Sequence, residues 1–547
     1  MDIVGIECKN IAYAPADVNI NRPDLHLIKE VIHFKDGTKK PNLRLIKDFK
    51  KPVYVTIKNY RNHKDKKESE LLDRLLKIET TQSNQWIDIS KRLGLYVPNN
   101  KVNVKLLRDS PYVYGADVGS WVHIKHMYKT KYPDLFSKSS VCALDTETST
   151  KDESLLMLTI AMGKEFKTYI RKDFVKNQPT LIKELDYLYN KYIPDDDVKR
   201  EFVKEFIVVE NELEIVTKAF EQIHKWQPDF VAIWNLDFDI SVILKVLERY
   251  DVRPEDIFTD PLVPKEWRYF KYQRDDNVKE TVSGVNKPPA PQERWHIVKC
   301  LASFYVIDAM CAYNYIRVGS KLVPGGYSLD NILSKELGSK LKKIKYDEDE
   351  EVKYLLGVEW HTYMQSKRPL HYIIYNVWDV LSMLMLDSKT GDLETSMSTL
   401  AEDSSYEIFK SNPKMLIDAI YWTYLENGRV LGTRGSSGTK EGIVLSDWIV
   451  MLPATSIVDD GMRVIEEDPE QRTNTRGFVF DSDQTAGYPS NSQAINISKD
   501  TMMREIIYEE GDVGLMKRFE NINLMFGKVN SVKFCTKILK FPKLEDL

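Results

Sequence analysis

Acidic side chains follow apolar runs at several places in the middle of the sequence. The first is Asp145-Thr-Glu147, directly after the apolar residues VCAL. Side chains alternate faces along a strand, so residues two apart share one face, and Asp145 and Glu147 can converge on one metal ion. Such a triplet also occurs at the solvated end of a strand. Both interpretations stay open for this motif alone.

The second motif is the run WNLDFD, from Trp234 to Asp239, which follows the apolar residues FVAI. Polar groups that follow a buried strand are where α/β domains often hold ligands. The competing interpretation is a turn whose aspartate caps the next helix, ISVILKVLERY. Taken alone, the motif predicts either a ligand group or a helix cap.

The third motif is Tyr375-Asn-Val-Trp-Asp379, within a stretch of helical character. Residues four apart lie on one face of a helix, so the Tyr375 hydroxyl and the Asp379 carboxylate point the same way. An ordinary helix with one buried tyrosine would show the same pattern. This motif, too, gains its meaning only from the other two.

Together, the three motifs predict a chemistry that none of them predicts alone. They follow one another within one region of alternating strands and helices. Hydrolysis of a phosphodiester can use two Mg²⁺ ions roughly 4 Å apart. Mg²⁺ takes oxygen ligands and keeps several waters, so a few carboxylates suffice to hold it. A phenol beside such a site can hold the attacking water.

In this order, the three motifs resemble Exo I, Exo II and Exo III of the proofreading domain of family B DNA polymerases, the DEDDy exonucleases. The stretch YIIYNVWDVLSML resembles the Exo III helix of T-even-type phage polymerases, as do VIDAMCAYNY and GGYSLDNIL before it. The resemblance implies a 3′→5′ exonuclease acting on DNA with two Mg²⁺ ions, which Mn²⁺ can replace. It also implies an RNase H-like (DnaQ-like) fold.

The resemblance also implies a role for each motif residue. It implies four metal ligands: Asp145, Glu147, Asp239 and Asp379. Tyr375 would position the water, and Asn235 and Phe238 would shape the second motif and the primer end. The second motif has one fewer residue between Asn and Phe-Asp than the phage enzymes usually show, a spacing that resembles protein-primed family B enzymes. Asp237 and Asp239 are therefore both candidate ligands, and the Phe-Asp pair favours Asp239.

A further motif, Asp483-Gln-Thr-Ala-Gly-Tyr488-Pro-Ser, follows the run GFVF. It resembles motif A of the family B palm, D-x-x-S-L-Y-P-S, with Ala486 and Gly487 in place of Ser and Leu. The resemblance implies that Asp483 binds both catalytic metal ions of polymerisation and that Tyr488 stacks under the nucleotide sugar. A chance match in a loop is the alternative. Neither motif B, K-x-x-x-N-S-x-Y-G, nor the D-T-D of motif C follows, and we expect a second polypeptide to supply them.

The pattern of strands and helices, with the resemblance, predicts a multidomain α/β protein. The expected domains are a mixed α+β N-terminal domain (1–138), an exonuclease domain (139–390), a helical connector and start of the palm (391–475), and a partial palm with motif A (476–547). In the first domain, HKDKKESELLDRLLKIE predicts a solvated helix. Between 264 and 298, interleaved aromatic and basic residues predict either a hairpin that stacks on unpaired bases or an ordinary surface loop.

Composition limits the remaining choices. The 547 residues carry a net charge of −4, so contacts with DNA must be local rather than a general basic coat. Five cysteines without a C-x-x-C pair argue against structural zinc and fit a reducing compartment. With the phage resemblance, the expected location is the cytoplasm of an infected host cell. No stretch of about 18 apolar residues occurs, so no membrane span is expected.

The leading hypothesis is the exonuclease-bearing N-terminal part of a viral or phage family B DNA-directed DNA polymerase. Its expected partners are DNA (a single-stranded 3′ end or a primer–template), a complementary C-terminal polymerase polypeptide with motifs B and C, and a sliding clamp. A free-standing 3′→5′ exonuclease and a non-catalytic replication scaffold are the alternatives. The set of four carboxylates with a tyrosine argues against the scaffold.

Overall fold

The computed structural model describes residues 2–17, 21–64, 66–95, 97, 101–175, 180–275, 279–280, 286–317, 323–433, 457–458 and 461–462. The chain forms two compact units, Met1–Ser436 and Ser437–Leu547. The predicted polymerase residues Asp483 and Tyr488 lie outside the described residues. So do most of the other residues of the second unit.

The N-terminal elements of the first unit form small antiparallel sheets, one of order β1-β2-β3 and one of order β6-β4-β7. The strands are β1 (Ile3–Ala14), β2 (Leu25–Phe34), β3 (Lys39–Lys47), β4 (Lys50–Thr56), β5 (Ser69–Leu71), β6 (Leu75–Thr81) and β7 (Val113–Tyr114). The helices are α1 (Gln85–Leu93), α2 (Val104–Asp109) and α3 (Ser120–Lys131).

The predicted solvated helix in this region is wrong. Its sequence, HKDKKESELLDRLLKIE, contains β5, a 3₁₀ turn at Leu72–Arg74 and most of β6. Strand β6 pairs with β4 along its whole length, and Leu75 packs into the core beside Tyr54 and Tyr114. Tertiary pairing has therefore overridden the helical propensity of the charged residues.

A six-stranded sheet of order β11-β10-β9-β8-β12-β17 forms the centre of the next region. The strands from here to residue 308 are β8 (Val141–Thr148), β9 (Leu155–Met162), β10 (Glu165–Arg171), β11 (Val203–Val209), β12 (Phe230–Ile233), β13 (Phe270–Gln273), β14 (Lys279–Glu280), β15 (Asn286–Lys287), β16 (Ile297–Cys300) and β17 (Tyr305–Asp308). Strand β9 is antiparallel to β8 and β10, whereas the pairs β8–β12, β12–β17 and β10–β11 are parallel.

Helices cover both faces of this sheet, which confirms the α/β class expected from the sequence. They are α4 (Lys172–Val175), α5 (Leu181–Tyr192), α6 (Asp196–Glu201), α7 (Glu212–Trp226), α8 (Leu236–Arg249), α9 (Pro254–Phe258), α10 (Ala309–Ile316), α11 (Leu329–Glu336), α12 (Gly357–Lys367) and α13 (Pro369–Thr390). One apolar core joins the sheet to α5, α11, α12 and α13, and another joins it to α7 and α8.

The chain then returns to the N-terminal sheets. After a π-helical turn at Asp392–Met397 come α14 (Ser398–Leu400), α15 (Asn412–Glu426) and β18 (Arg429–Leu431). Strand β18 pairs with β5, and Tyr421 of α15 packs into the same core as Tyr54. In the second unit, β19 (Ile457–Val458) and β20 (Gly461–Met462) form an antiparallel pair. Among the described residues, no helix has the length and apolar character needed to cross a membrane.

Candidate metal centre

Strand β8 presents Asp145 and Glu147 to helix α13. Both residues lie within the strand rather than beyond its end, and they alternate with Thr146. Ala143, on the same face, packs in the core formed with α13, whereas Cys142 and Leu144 pack in the core formed with α7 and α8. The alternation of the strand therefore directs both carboxylates to one side of the sheet.

Helix α13 places Asp379 against this pair. Oxygen atoms of Asp145, Glu147 and Asp379 lie within 4.8 Å of one another. Asp379 is only 2% exposed, and among the described residues none hydrogen-bonds to its buried Oδ1. An unsatisfied buried carboxylate oxygen is costly in an empty site and favourable beside a cation. The three carboxylates therefore fit a divalent ion.

Asp239 lies next to the same group, in the first turn of α8. Its Oδ1 accepts hydrogen bonds from the Thr146 backbone N–H at 2.9 Å and from the Thr146 hydroxyl at 2.6 Å. Thr146 is the residue between Asp145 and Glu147, so α8 is tied directly to the strand that carries the pair. Asp239 thus borders the three carboxylates without joining the group that lies within 4.8 Å.

Asp237 has different partners, although it lies two residues before Asp239. Its Oδ1 accepts hydrogen bonds from the Tyr272 hydroxyl at 2.6 Å and from Arg274 Nε at 2.8 Å. Arg274 also donates to the hydroxyl of Ser241 at 2.8 Å. Asp237 therefore joins α8 to the strand β13 region rather than to the carboxylate group.

The helix-cap interpretation of the second motif is wrong in its detail. Helix α8 begins at Leu236, so both aspartates of the motif lie inside its first turn. The carboxylate of Asp308, at the end of β17, accepts the Leu236 N–H at 2.8 Å and caps α10 through the Cys311 N–H at 3.0 Å. Asn235 has a left-handed backbone (φ 71°) and is exposed, as is Phe238 at 51%.

A lysine that the sequence did not single out completes one side of the site. Lys343 lies outside regular structure, before α12, and its Nζ is 2.6 Å from Oδ2 of Asp379. The same ammonium donates to the Tyr375 hydroxyl at 2.9 Å. In the sequence, Lys343 is one of several lysines in the run KLKKIK, and nothing in that run distinguishes it.

Two further residues of α13 hold the strand carboxylates. Tyr372 donates a hydrogen bond from its hydroxyl to Oε2 of Glu147, and Asn376 Nδ2 donates to Oδ2 of Asp145 at 2.7 Å. Tyr372 and Asn376 are four residues apart, as Tyr375 and Asp379 are. The same helical spacing that identified the third motif could therefore have identified this second row.

Burial raises the pKa of every carboxyl group in the site, and neighbouring carboxylates add to each shift. Burial, with Asp239 and Glu147 adding to it, raises the pKa of Asp145 well above its ordinary value. Burial raises the pKa of Glu147 to about 8 and that of Asp239 to about 7. It also raises the pKa of Asp379, although Lys343 opposes the shift. A divalent cation that displaces these protons would relieve the repulsion.

The predicted stacking hairpin has its aromatic side chains turned to other parts of the protein. Strands β13 and β16 pair antiparallel. Trp267 is buried and donates from Nε1 to the carbonyl oxygen of Pro23 at 3.0 Å, and the Tyr269 hydroxyl donates to that of Tyr13 at 2.9 Å. Tyr272 is bound to Asp237. These contacts favour the surface-loop interpretation for the part described; residues 276–278 and 281–285 lie outside the described residues.

The assembled site combines hard oxygen ligands, a phenol and an ammonium group around one small space. Such a set can hold divalent cations and orient a water molecule against a phosphodiester. No family model matches the chain, and no curated protein matches it.

Proposed function

We propose that this chain is a Mg²⁺-dependent 3′→5′ exodeoxyribonuclease and the proofreading part of a family B DNA polymerase. The observation that carries the proposal is the convergence of Asp145, Glu147 and Asp379 within 4.8 Å. Asp239, the fourth predicted carboxylate, borders them through Thr146. The order of the six-stranded sheet, with mixed parallel and antiparallel pairs, supports an RNase H-like fold for this region.

The four carboxylates would hold the metal ions: Asp145, Glu147, Asp239 and Asp379. Their oxygens are the ligands that Mg²⁺ and Mn²⁺ prefer. The unpartnered Oδ1 of Asp379 is the atom that most clearly needs a cation. Bound there, the ions supply Lewis-acid stabilisation of the charge that develops on the phosphoryl group and on the leaving oxygen.

Tyr375 and Lys343 are placed to act on the attacking water and the phosphate. The Tyr375 oxygen accepts a hydrogen bond from the Lys343 ammonium, and the Tyr375 hydroxyl also interacts with the Asp379 carboxylate, so the phenol is held beside a proposed metal ligand. A water molecule bound to the phenol would be kept in line with the phosphodiester. The ammonium also stabilises the negative charge that builds up on the phosphoryl oxygens.

Asn235 and Phe238 provide a place for the end of the substrate strand. Both are exposed and lie at the start of α8, beside buried Asp239. An exposed aromatic ring one residue before Asp239 can stack on the terminal base of an unpaired 3′ end. The proposed substrate is therefore a single-stranded DNA 3′ end, released from a primer–template.

The polymerase part of the proposal is supported by the motif A resemblance alone. Asp483 would bind the metal ions of nucleotidyl transfer, and Tyr488 would contact the sugar of the incoming nucleotide. We propose a partner polypeptide with motifs B and C, a sliding clamp as a further partner, and the cytoplasm of an infected host cell as the location. In the assembled polymerase, Asp483→Ala should abolish primer extension and leave exonuclease activity unchanged.

An end-labelling assay tests the exonuclease directly. The chain with Mg²⁺ should convert a 5′-labelled single-stranded oligonucleotide into a ladder of shorter labelled products. Asp145→Asn with Glu147→Gln should remove this activity. The matched control is Asp152→Asn with Glu153→Gln, the same two changes on an exposed pair just beyond β8. Equal activity in the double variant, or the release of a labelled mononucleotide from the 5′ end, would contradict the proposal.

A further inference from the structure

Helix α12 is joined to the end of the strand that carries Glu147. Gln365 Nε2 donates to the Thr148 carbonyl oxygen at 2.8 Å, and Gln365 Oε1 accepts the Thr150 N–H at 3.0 Å. The Thr362 hydroxyl lies 3.0 Å from that of Thr150. These contacts fix α12 beside Glu147, although α12 contributes none of the four proposed metal ligands.

A chain of hydrogen bonds runs from α12 to Glu147. Nδ1 of His361 lies 2.8 Å from the Tyr372 hydroxyl, and that hydroxyl donates to Oε2 of Glu147. The single hydroxyl proton of Tyr372 is used in its hydrogen bond to the Glu147 carboxylate. The Tyr372 oxygen therefore accepts a hydrogen bond from His361, and the imidazole carries its proton on Nδ1. Gln365 Nε2, 3.4 Å from the same oxygen, is a weaker second donor.

The consequence for Glu147 is a fixed orientation. The phenol holds its Oε2, and an oxygen of the same carboxylate lies within 4.8 Å of oxygens of Asp145 and Asp379. This series of hydrogen bonds is buried at its centre, because Tyr372 is fully enclosed by the protein core. A glutamate has three rotatable side-chain bonds, and an unsupported one loses conformational entropy when it binds a metal ion.

We propose that His361 and Tyr372 are positioning residues that hold Glu147 ready for the metal ion, an inference that rests on the proposed function. Groups that hydrogen-bond to a metal ligand orient it, and removing one typically weakens metal binding roughly 10- to 100-fold. The role of Tyr372 is thus distinct from that of Tyr375, although their rings are stacked with centroids 5.7 Å apart. Tyr372 sets the affinity for the ion, and Tyr375 acts on the water.

The expected effects separate these roles. Tyr372→Phe should weaken Mn²⁺ binding by about tenfold, while the cleavage rate at saturating Mn²⁺ falls less than about threefold. His361→Ala should weaken Mn²⁺ binding in the same direction. His361→Asn should restore the affinity, since the amide nitrogen of asparagine is a donor close to the position of Nδ1.

The experiment is a Mn²⁺ titration of the full chain, without DNA, followed by electron paramagnetic resonance of the free ion. Tyr363→Phe is the matched control, because Tyr363 lies on α12 and its hydroxyl binds Glu351 rather than the site. Circular dichroism establishes that each variant is folded. The titration measures metal binding and does not depend on cleavage. A parent chain that binds Mn²⁺ without degrading DNA would refute the proposed function, and the affinities of the variants would still show whether His361 and Tyr372 position Glu147.

Two results support the inference: weaker binding in Tyr372→Phe than in Tyr363→Phe, and recovery of affinity from His361→Ala to His361→Asn. Unchanged Mn²⁺ affinity in Tyr372→Phe would overturn it. So would equal affinities for the Ala and Asn variants of His361, or a parent chain that binds no Mn²⁺.

Discussion

The two sides of the candidate metal centre are held by different kinds of interaction. On the β8 side, Glu147 is held by a series of hydrogen bonds from the uncharged side chains of Tyr372 and His361. On the α13 side, Asp379 pairs with the ammonium of Lys343, which also reaches Tyr375. A neutral donor fixes a carboxylate without changing its charge, whereas an ammonium neutralises it and competes with a metal ion. The β8 side is therefore expected to favour metal binding, and the α13 side to favour turnover.

Replacing Asp239, which supports the β8 side through Thr146, should reduce activity more than any other change considered. Asp239→Ala should lower the single-turnover rate of 3′→5′ cleavage by at least ~10³-fold, because metal ions supply several kcal/mol of charge stabilisation. Asp237→Ala should change the rate less than about threefold, because Asp237 is bound to Tyr272 and Arg274 instead. A larger loss in Asp237→Ala than in Asp239→Ala would assign the second motif to the other aspartate.

Replacing Lys343 should have an intermediate effect on activity. It should strengthen metal binding and slow cleavage. Lys343→Met removes a positive charge from Asp379, so Mn²⁺ should bind about fivefold more tightly or better, since a unit charge ~4 Å away is worth on the order of 1 kcal/mol or more. The rate at saturating Mn²⁺ should nevertheless fall about 10²-fold, because Tyr375 and the phosphate lose their charged partner.

Lys345→Met is the matched control for this variant. Lys345 belongs to the same run, and its ammonium pairs with Asp330 at 2.5 Å rather than with one of the four proposed metal ligands. Calorimetric titration gives the affinity, and rapid-quench kinetics give the rate. Weaker Mn²⁺ binding in Lys343→Met would contradict the contrast between the two sides.

The smallest expected effect is on the stability of the metal-free chain. Burial raises the pKa of Glu147 to about 8 and that of Asp239 to about 7, against ordinary values near 4. Between about pH 4 and pH 8, the folded state keeps protons on these carboxyl groups that the unfolded state has released. The free energy of unfolding therefore decreases as pH rises. In EDTA, the midpoint temperature of thermal unfolding should therefore decrease as pH is raised from about 5 to about 8.

Two comparisons isolate the contribution of the site. In Glu147→Gln, the midpoint temperature should decrease less steeply near pH 8, since glutamine does not titrate. In the parent chain, excess Mg²⁺ should offset the decrease by binding the ionised carboxylates. An identical slope in the parent and in Glu147→Gln would show that other groups cause the pH dependence.

The sequence predicted the elements of the site better than their environment. The apolar run before Asp145 predicted a strand, and the spacing of Tyr375 and Asp379 predicted a shared helix face; both are confirmed. Lys343 was missed because a loop residue reaches the site by tertiary folding alone, without any periodicity in the sequence. The helix predicted for HKDKKESELLDRLLKIE failed for a related reason, since pairing with a distant strand decided its structure.

The difference between Asp237 and Asp239 also depended on tertiary contacts. Both lie in the first turn of α8, and local sequence gave no physical ground for separating them. Their partners do: Thr146 of β8 binds Asp239, whereas Arg274, near the end of β13, binds Asp237. The sequence could therefore predict that a carboxylate from this motif joins the site, while the choice between them needed the position of β8.

Anomalous diffraction can locate bound Mn²⁺ ions in the protein. Crystals of the chain grown with Mn²⁺ and a short single-stranded oligonucleotide should show Mn²⁺ peaks in contact with Asp145, Glu147 and Asp379. The last phosphodiester before the 3′ end should lie against those peaks, near the Tyr375 hydroxyl. A carboxylate cluster that holds no Mn²⁺ at millimolar Mn²⁺, or a strand bound with its 5′ end at the cluster, would contradict the proposed exonuclease site.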